Sequence, residues 1–338
     1  MPRSSSQASS IDGPIGPRFI GRFDRSDPAA ARCAWPGAAI TLRFTGRAIG
    51  VTLTDTGNNW FEVVIDGQHR VLSLERGTKK YALGEQLSDG PHDLLLYRRT
   101  EPSFGETAFN GFDLDAGAYL PGPPVPKRRI EVIGDSISAG YGNEGTLAWP
   151  FEPGTENHYL TYGAITAREV GAELYTEAWS GIGLIRNYDG TTQGTMLERY
   201  PRILPEQASS RWDFSSFTPD VLLINLGSND FAKGDPGQAF ETAYEAFVGE
   251  LRAHYPKARF YLAIGPTLSG SSYEQAEAYL TSVIAARARL GDSDLALLTF
   301  AVQDAKSDGL GCDYHPSLKT HRKMADKLVA TLHGDLGW

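Results

Sequence analysis

The sequence predicts an α/β protein of two unlike parts, an N-terminal β-sandwich of jelly-roll type followed by a doubly wound parallel α/β/α domain. Three observations carry this. Residues 19–119 fall into short apolar-polar alternations separated by turn residues, and no segment there keeps helical spacing over two turns. The run PGPPVPK at 121–127 puts four prolines in seven residues, which joins neither a sheet nor a helix. Beyond it, short apolar runs alternate with amphipathic helical patterns, as a parallel sheet requires. The expected boundaries are a flexible lead-in over 1–17, the sandwich over 18–120, a linker over 121–128 and the α/β domain over 129–338.

In the first part, Ile40, Leu42 and Phe44 alternate with polar residues, and Val51 and Leu53 repeat the pattern. Phe61 and Val63 lead into Asp66-Gly67, a strong hairpin signal, and 71–74 is the return strand. A further strand at 93–97 follows the Ser88-Asp89-Gly90 turn, and a last one holds Phe112 and Leu114. In the second part, strands are expected at 130–133, 173–179, 221–226, 260–264 and 297–300. One helix places Phe240, Ala243, Tyr244, Phe247 and Leu251 on a single face behind an Asp235-Pro236 start. A second opens with Ser271 and Glu274 in capping-box spacing and carries Ala276, Leu280, Val283 and Ile284. A third runs from Pro316 with Leu318, Met324, Leu328 and Leu332 inward.

With 338 residues and 41% hydrophobic content the chain can bury a sizeable core. Its formal net charge of -9 argues against nucleic acid or an anionic membrane as partner, since both select basic surfaces. No apolar run approaches the roughly 18 residues of a membrane span. The start, MPRSSSQASS, has no apolar signal core, so the chain is expected to be cytoplasmic, or secreted with its signal already removed. Cys33 and Cys312 are expected to be free thiols. No metal or other cofactor is expected, because no His/Cys/Asp cluster has ligand spacing. Oligomeric state is not legible.

The chemistry gathers at predicted strand ends. Ile130, Val132 and Ile133 deliver Gly134-Asp135-Ser136 to the C-terminal edge of a strand, where open α/β sheets bind ligands. The run 221–226 leads straight into Gly227-Ser228-Asn229-Asp230, which places the Asn229 amide at another strand end. Ser180-Gly181-Ile182-Gly183 follows a third and exposes backbone N–H groups. Gly311-Cys312-Asp313-Tyr314-His315-Pro316 presents a carboxylate and an imidazole before the last helix, and residues two apart in an extended segment point the same way. Together these supply a nucleophile, a base, a base-orienting carboxylate and oxyanion donors, the set that acyl transfer requires.

These four segments, in this order, resemble the SGNH, or GDSL, hydrolase superfamily over roughly 129–333. The resemblance implies Ser136 as nucleophile, His315 as base, and the N–H groups of Ser136 and Gly181 with the Asn229 side chain as oxyanion hole. One position departs. The superfamily usually has its Asp three residues before the His, where this chain has Cys312, and the carboxylate stands at Asp313. That departure, the N-terminal β domain, and the phrases Phe19-Ile20-Gly21-Arg22-Phe23-Asp24 and Ala34-Trp35-Pro36-Gly37 are similar to carbohydrate esterase family 2. The family pairs a jelly roll with an SGNH domain and removes acetyl groups from sugars, often at the primary 6-hydroxyl. Some members use a Ser-His dyad and others an Asp two residues before the His, and Asp313 fits the second kind.

What the resemblance implies is a serine esterase acting on acetylated oligo- or polysaccharides of acetylxylan or glucomannan type, through an acetyl-enzyme and without a cofactor. Trp149, Trp179 and Trp212 are candidates for stacking on a sugar ring. Asp135 and Asp230 are expected to hold loops, Asp230 that of Asn229, and His69, His92, His158, His254, His321 and His333 to be surface or structural, with a place behind the site as the alternative for His321. Two other readings are an SGNH esterase on simple acyl esters or lipids, and a carbohydrate-binding protein on a hydrolase scaffold that no longer turns over.

Overall fold

In the computed structural model, which describes residues 13–338, alternating strands and Gly-Asp-type turns build two antiparallel sheets before the prolines. The strands are β1 (Arg18–Ile20), β2 (Ala31–Cys33), β3 (Ala39–Thr45), β4 (Ile49–Asp55), β5 (Trp60–Ile65), β6 (Gln68–Ser73), β7 (Gly77–Gly84), β8 (Pro91–Arg98), β9 (Thr107–Leu114) and β10 (Tyr119–Leu120). One sheet runs β1-β3-β8-β5-β6, with β10 also on β3, and the other runs β2-β9-β4-β7. Their inner faces enclose Ile40, Leu42, Phe44, Val51, Leu53, Phe61, Val63 and Leu96. Asp66 and Gly67 both take positive φ (51° and 76°), the conformation a two-residue hairpin needs. Strands β1, β2 and β10 lie outside the elements expected from the sequence, and so does β7. It is the polar edge of its sheet, with Lys79 and Lys80 exposed, and edge strands carry little of the apolar alternation that betrays inner ones.

After the prolines come β11 (Arg128–Gly134), α1 (Ser136–Ala139), α2 (Tyr162–Glu169), β12 (Ala172–Ala178), α3 (Met196–Arg199), β13 (Val221–Asn225), α4 (Gln238–His254), β14 (Arg259–Ile264), α5 (Gly270–Arg289), β15 (Leu295–Thr299), α6 (Ala305–Asp308) and α7 (Leu318–Leu336). The sheet is all-parallel, in the order β12-β11-β13-β14-β15. Helices α4 and α5 cover one face and α2 and α7 the other, which is the doubly wound arrangement. Chain direction across the sheet reverses at β11, so the end of β11 is the switch point where the crevice opens.

Helix starts differ from expectation in detail. Helix α4 begins after Gly237, and Asp235 instead turns the preceding loop by accepting the Gly237 N–H at 2.8 Å. Helix α5 begins after Ser269, which leaves Ser271 inside the first turn. Leu318 is exposed at the start of α7, while Met324, Leu328 and Leu332 are buried. Of the expected lead-in, residues 1–12 lie outside the described residues. Gly13 and Ile15 are paired with Gly122 and Pro121, so this part of the lead-in is fixed against the proline run. Among the described residues, no helix is long and apolar enough to cross a membrane.

The two parts meet through buried charge. Arg22 follows β1, is fully buried, and reaches Glu131 (3.0 Å) and Glu177 (2.9 Å) on the adjacent strands β11 and β12. Burial works against the guanidinium charge, but the Glu177 and Glu131 carboxyls outweigh it and raise its pKa. Burial also drives the Glu177 carboxyl well above the usual carboxylate range. Trp35 enters the same region, packing in the α/β core and donating to the Arg202 carbonyl at 3.2 Å. Removing one partner of a buried ion pair strands the others in low dielectric. Arg22→Ala should therefore lose about 3–5 kcal/mol, read as a lower denaturation midpoint in urea.

Candidate active site

β11 ends because Gly134 leaves no room for a side chain. A Cβ there would stand 2.1 Å from the Ser138 Oγ, so only glycine lets the chain double back into α1. Asp135 takes extended backbone, fully buried, and its carboxylate accepts the Ile137 N–H at 3.0 Å as the helix N-cap. Burial pushes that carboxyl up to about 7. Ser136 is thereby the first residue of α1, at the switch point.

Its hydroxyl is 2.9 Å from Nε2 of His315. The expected support for His315 is not the one found. Nδ1 lies 3.1 Å from the Asp313 carbonyl and 3.2 Å from the Cys312 carbonyl, whereas the Asp313 carboxylate accepts the Tyr141 hydroxyl at 2.8 Å. The reason is backbone conformation. Asp313 and Tyr314 both take positive φ (48° and 64°), so the segment is not extended and the alternation expected of it does not apply. The tightened chain turns its carbonyls, rather than the Asp313 side chain, toward the imidazole.

This loop is held from several directions. The Cys312 N–H donates to the Gly142 carbonyl (3.0 Å), Gly311 N–H to the His315 carbonyl (2.8 Å), and the Gln303 amide to the Tyr314 carbonyl (2.7 Å). Tyr141 tilts against the imidazole at 4.3 Å between ring centroids and stacks on Phe151 at 3.6 Å. Cys33 and Cys312 are both free and buried.

Gly181 and Asn229 line the cleft with Ser136. Gly181 has φ +77°. The Asn229 side chain gives one amide hydrogen to the Ile182 carbonyl at 3.0 Å and keeps its second. Asp230 was expected to steady its own segment, but it anchors the opposite loop, accepting the N–H groups of Leu184 (2.9 Å), Ile185 (2.8 Å) and Arg186 (3.0 Å). Ser136, Gly181, Asn229, Asp313 and His315 all line one cleft of about 810 Å³.

None of the three tryptophans lines it. Trp179 is buried beneath the Arg199 guanidinium (4.0 Å), Trp212 packs on Arg22 (5.0 Å), and Trp149 is exposed outside the cleft. The aromatic lining is Tyr141, Tyr188, Phe231 and Tyr314, of which Tyr188 and Tyr314 are 63% and 68% exposed. The signal for them was adjacency, since Tyr141 follows the Ser136 block and Tyr314 lies between Asp313 and His315. His321 is buried against Tyr162, whose N–H it accepts at 3.3 Å, and does not line the cleft. Among the described residues, no cluster of three or more His, Cys, Asp or Glu side chains could hold a metal.

Residues 19–124 match the model of the carbohydrate esterase 2 N-terminal domain, and residues 132–323 that of the GDSL-like lipase/acylhydrolase family. The chain is 42% identical over 336 residues to the cellulase/esterase CelE of Acetivibrio thermocellus, covering 98% of this chain and 41% of that protein. It therefore spans about two-fifths of that relative's length. It is 26% identical over 326 residues to an acetylxylan esterase/glucomannan deacetylase of Cellvibrio japonicus, covering 95% of this chain and 89% of the other. A family two carbohydrate esterase from Clostridium thermocellum, solved in complex with cellohexaose, superposes with a TM-score of 0.92 at 42% identity, over 96% of this chain and 100% of that one.

Burial lowers the His315 pKa below the ordinary imidazole value of 6.5, although the Cys312 and Asp313 carbonyls and the Asp313 charge favour the protonated ring. A base must be neutral to take a proton, so lowering its pKa extends activity toward acid. The acid limb of kcat/KM should fall below pH 6.5 with a one-proton slope, and a limb at pH 7 or above would contradict this account.

Proposed function

The chain belongs to carbohydrate esterase family 2, and from that premise we propose that it is a serine esterase removing O-acetyl groups from neutral oligo- or polysaccharides. The observation that carries the proposal is the 2.9 Å contact between the Ser136 hydroxyl and His315 Nε2, in a cleft that also holds Gly181 and Asn229.

In this mechanism His315 takes the Ser136 proton as the hydroxyl oxygen adds to the acetyl carbonyl carbon. The N–H groups of Ser136 and Gly181 and the free amide hydrogen of Asn229 receive the oxyanion. Collapse breaks the carbonyl-to-sugar-oxygen bond, and His315 returns the proton to the departing alkoxide. Water then adds to the acetyl-enzyme with His315 again as base, and acetate leaves with regeneration of Ser136. The imidazole is oriented by the Cys312 and Asp313 carbonyls, which supports a Ser-His dyad rather than a carboxylate triad.

Two features of the lining support the substrate class. Its aromatic side chains suit the apolar faces of sugar rings, and the described residues place no Lys or Arg there, while Asp313 adds negative charge. Neutral sugars fit this better than uronates. The preference within that class is for acetyl on the primary 6-hydroxyl, the least crowded ester oxygen.

Two experiments test the reading. Acetate release from 6-O-acetyl sugars should exceed that from 2-O- and 3-O-acetyl sugars, and Ser136→Ala should lower it at least about 10³-fold. Equal release from every position would remove the 6-O preference, and undiminished release by the variant would remove the serine mechanism. Asp313→Asn should keep turnover within about fivefold of the parent, because the drop of about 10⁴ seen on removing an orienting carboxylate needs a carboxylate in that role.

A further inference from the structure

The oxyanion side of the cleft is finished by the sandwich, not by the α/β sheet. β12 is an edge strand whose single neighbour is β11. The Trp179 N–H still turns inward, to the Gly134 carbonyl at 3.4 Å, where the two strands separate. In the turn past the end of β12, the Ser180 N–H finds no partner in the sheet, which has no further strand on that side. Its acceptor is the carboxylate of Glu101, at 2.7 Å, from the turn between β8 and β9 of the sandwich.

Glu101 is built into that position. It is 2% exposed, its other carboxylate oxygen accepts the Ser103 hydroxyl at 2.5 Å, and its own N–H donates to Glu156 at 2.6 Å. Arg98, fully buried, ties the turn together through the carbonyls of Thr100 (2.9 Å), Glu101 (3.2 Å) and Gly105 (2.7 Å). On the far side of Ser180, the Gly181 carbonyl accepts the Tyr188 N–H at 2.8 Å. Glu101 and Tyr188 thus clamp the peptide that carries the Gly181 N–H.

We propose that Glu101 is a positioning residue for this reaction, its carboxylate holding the Ser180 N–H so that the next N–H, on Gly181, meets the developing oxyanion. The proposal rests on the esterase reading above. It gives the sandwich a part in turnover: the domain supplies the acceptor that fixes one oxyanion donor.

The test is hydrolysis of 4-nitrophenyl acetate, which reads the oxyanion hole without a sugar, by the parent, Ser136→Ala, Glu101→Gln and Glu101→Asp. Gln keeps the reach of the side chain and an acceptor oxygen, while Asp keeps the charge but withdraws the acceptor. Glu101→Gln should hold kcat within about threefold, whereas Glu101→Asp should lower kcat and kcat/KM together by at least about tenfold with KM unchanged. A role in balancing the charge of Arg98 predicts the reverse order. Reverse order, equal loss in both variants or retention in both overturns the proposal. Ser103→Ala, at an exposed site, loosens the same carboxylate without disturbing the core and should lower kcat about threefold to fivefold. If Glu101→Asp does not fold, unchanged turnover in Ser103→Ala overturns the proposal instead. A parent lacking Ser136-dependent hydrolysis would instead fail the esterase reading, and this proposal with it.

Discussion

The abrupt end of β11 is the constraint on which the rest of the site depends. One residue separates the last ladder position, Gly134, from the first helical one, Ser136. The turn closes only because position 134 lacks a Cβ and the Asp135 carboxylate satisfies a helix N–H that would otherwise be orphaned. Since β11 lies where chain direction reverses, the crevice opens directly above that turn. Loops after β12, β13 and β15 then have one place to converge, and they bring Gly181, Asn229 and His315 to the same hydroxyl.

The histidine segment solves an orientation problem with main chain alone. Two consecutive non-glycine residues at positive φ cost of order 1–3 kcal/mol each. Here they are sustained by Tyr141, Gln303 and Gly142, each bonded to a different part of the segment. The carbonyls of Cys312 and Asp313 then fix the ring tautomer with Nδ1 as donor, leaving Nε2 free to accept from Ser136. The Asp313 carboxylate, freed from the imidazole, ties Tyr141 to the rim of the cleft instead.

The sandwich is joined to the α/β part by buried polar contacts, which demand one relative placement because each unsatisfied group would be costly. Arg22 and Trp35 lock it beneath β11 and β12, and Tyr97 meets the His158 ring at 2.6 Å. Gly37 allows this closeness, since a Cβ there would stand 2.7 Å from the His158 ring. The turn after β8 also supports the base side: Phe104 lies against Phe151 (6.0 Å), which stacks on Tyr141 beside His315. The two phrases that linked the chain to its family, around Arg22 and Trp35, are thus interface residues.

By itself the sequence determined the two-part architecture and the parallel sheet, and it singled out Ser136, Gly181, Asn229 and His315, which the fold brings to one cleft. These depend on local period and on strand-end motifs, which are written in adjacent residues. It also misled where local rules fail: an extended reading of 311–315 assigned Asp313 to His315, and the aromatic candidates it offered for the cleft were Trp149, Trp179 and Trp212, none of which lines it. Only the tertiary structure decided that carbonyls face the imidazole, that Asp230 anchors the loop across the cleft, and that Glu101 reaches Ser180 from another domain. Those contacts join residues 46 and 79 positions apart, or depend on a positive φ in a non-glycine residue. No periodicity encodes either, because each is set by what the folded neighbours leave unsatisfied.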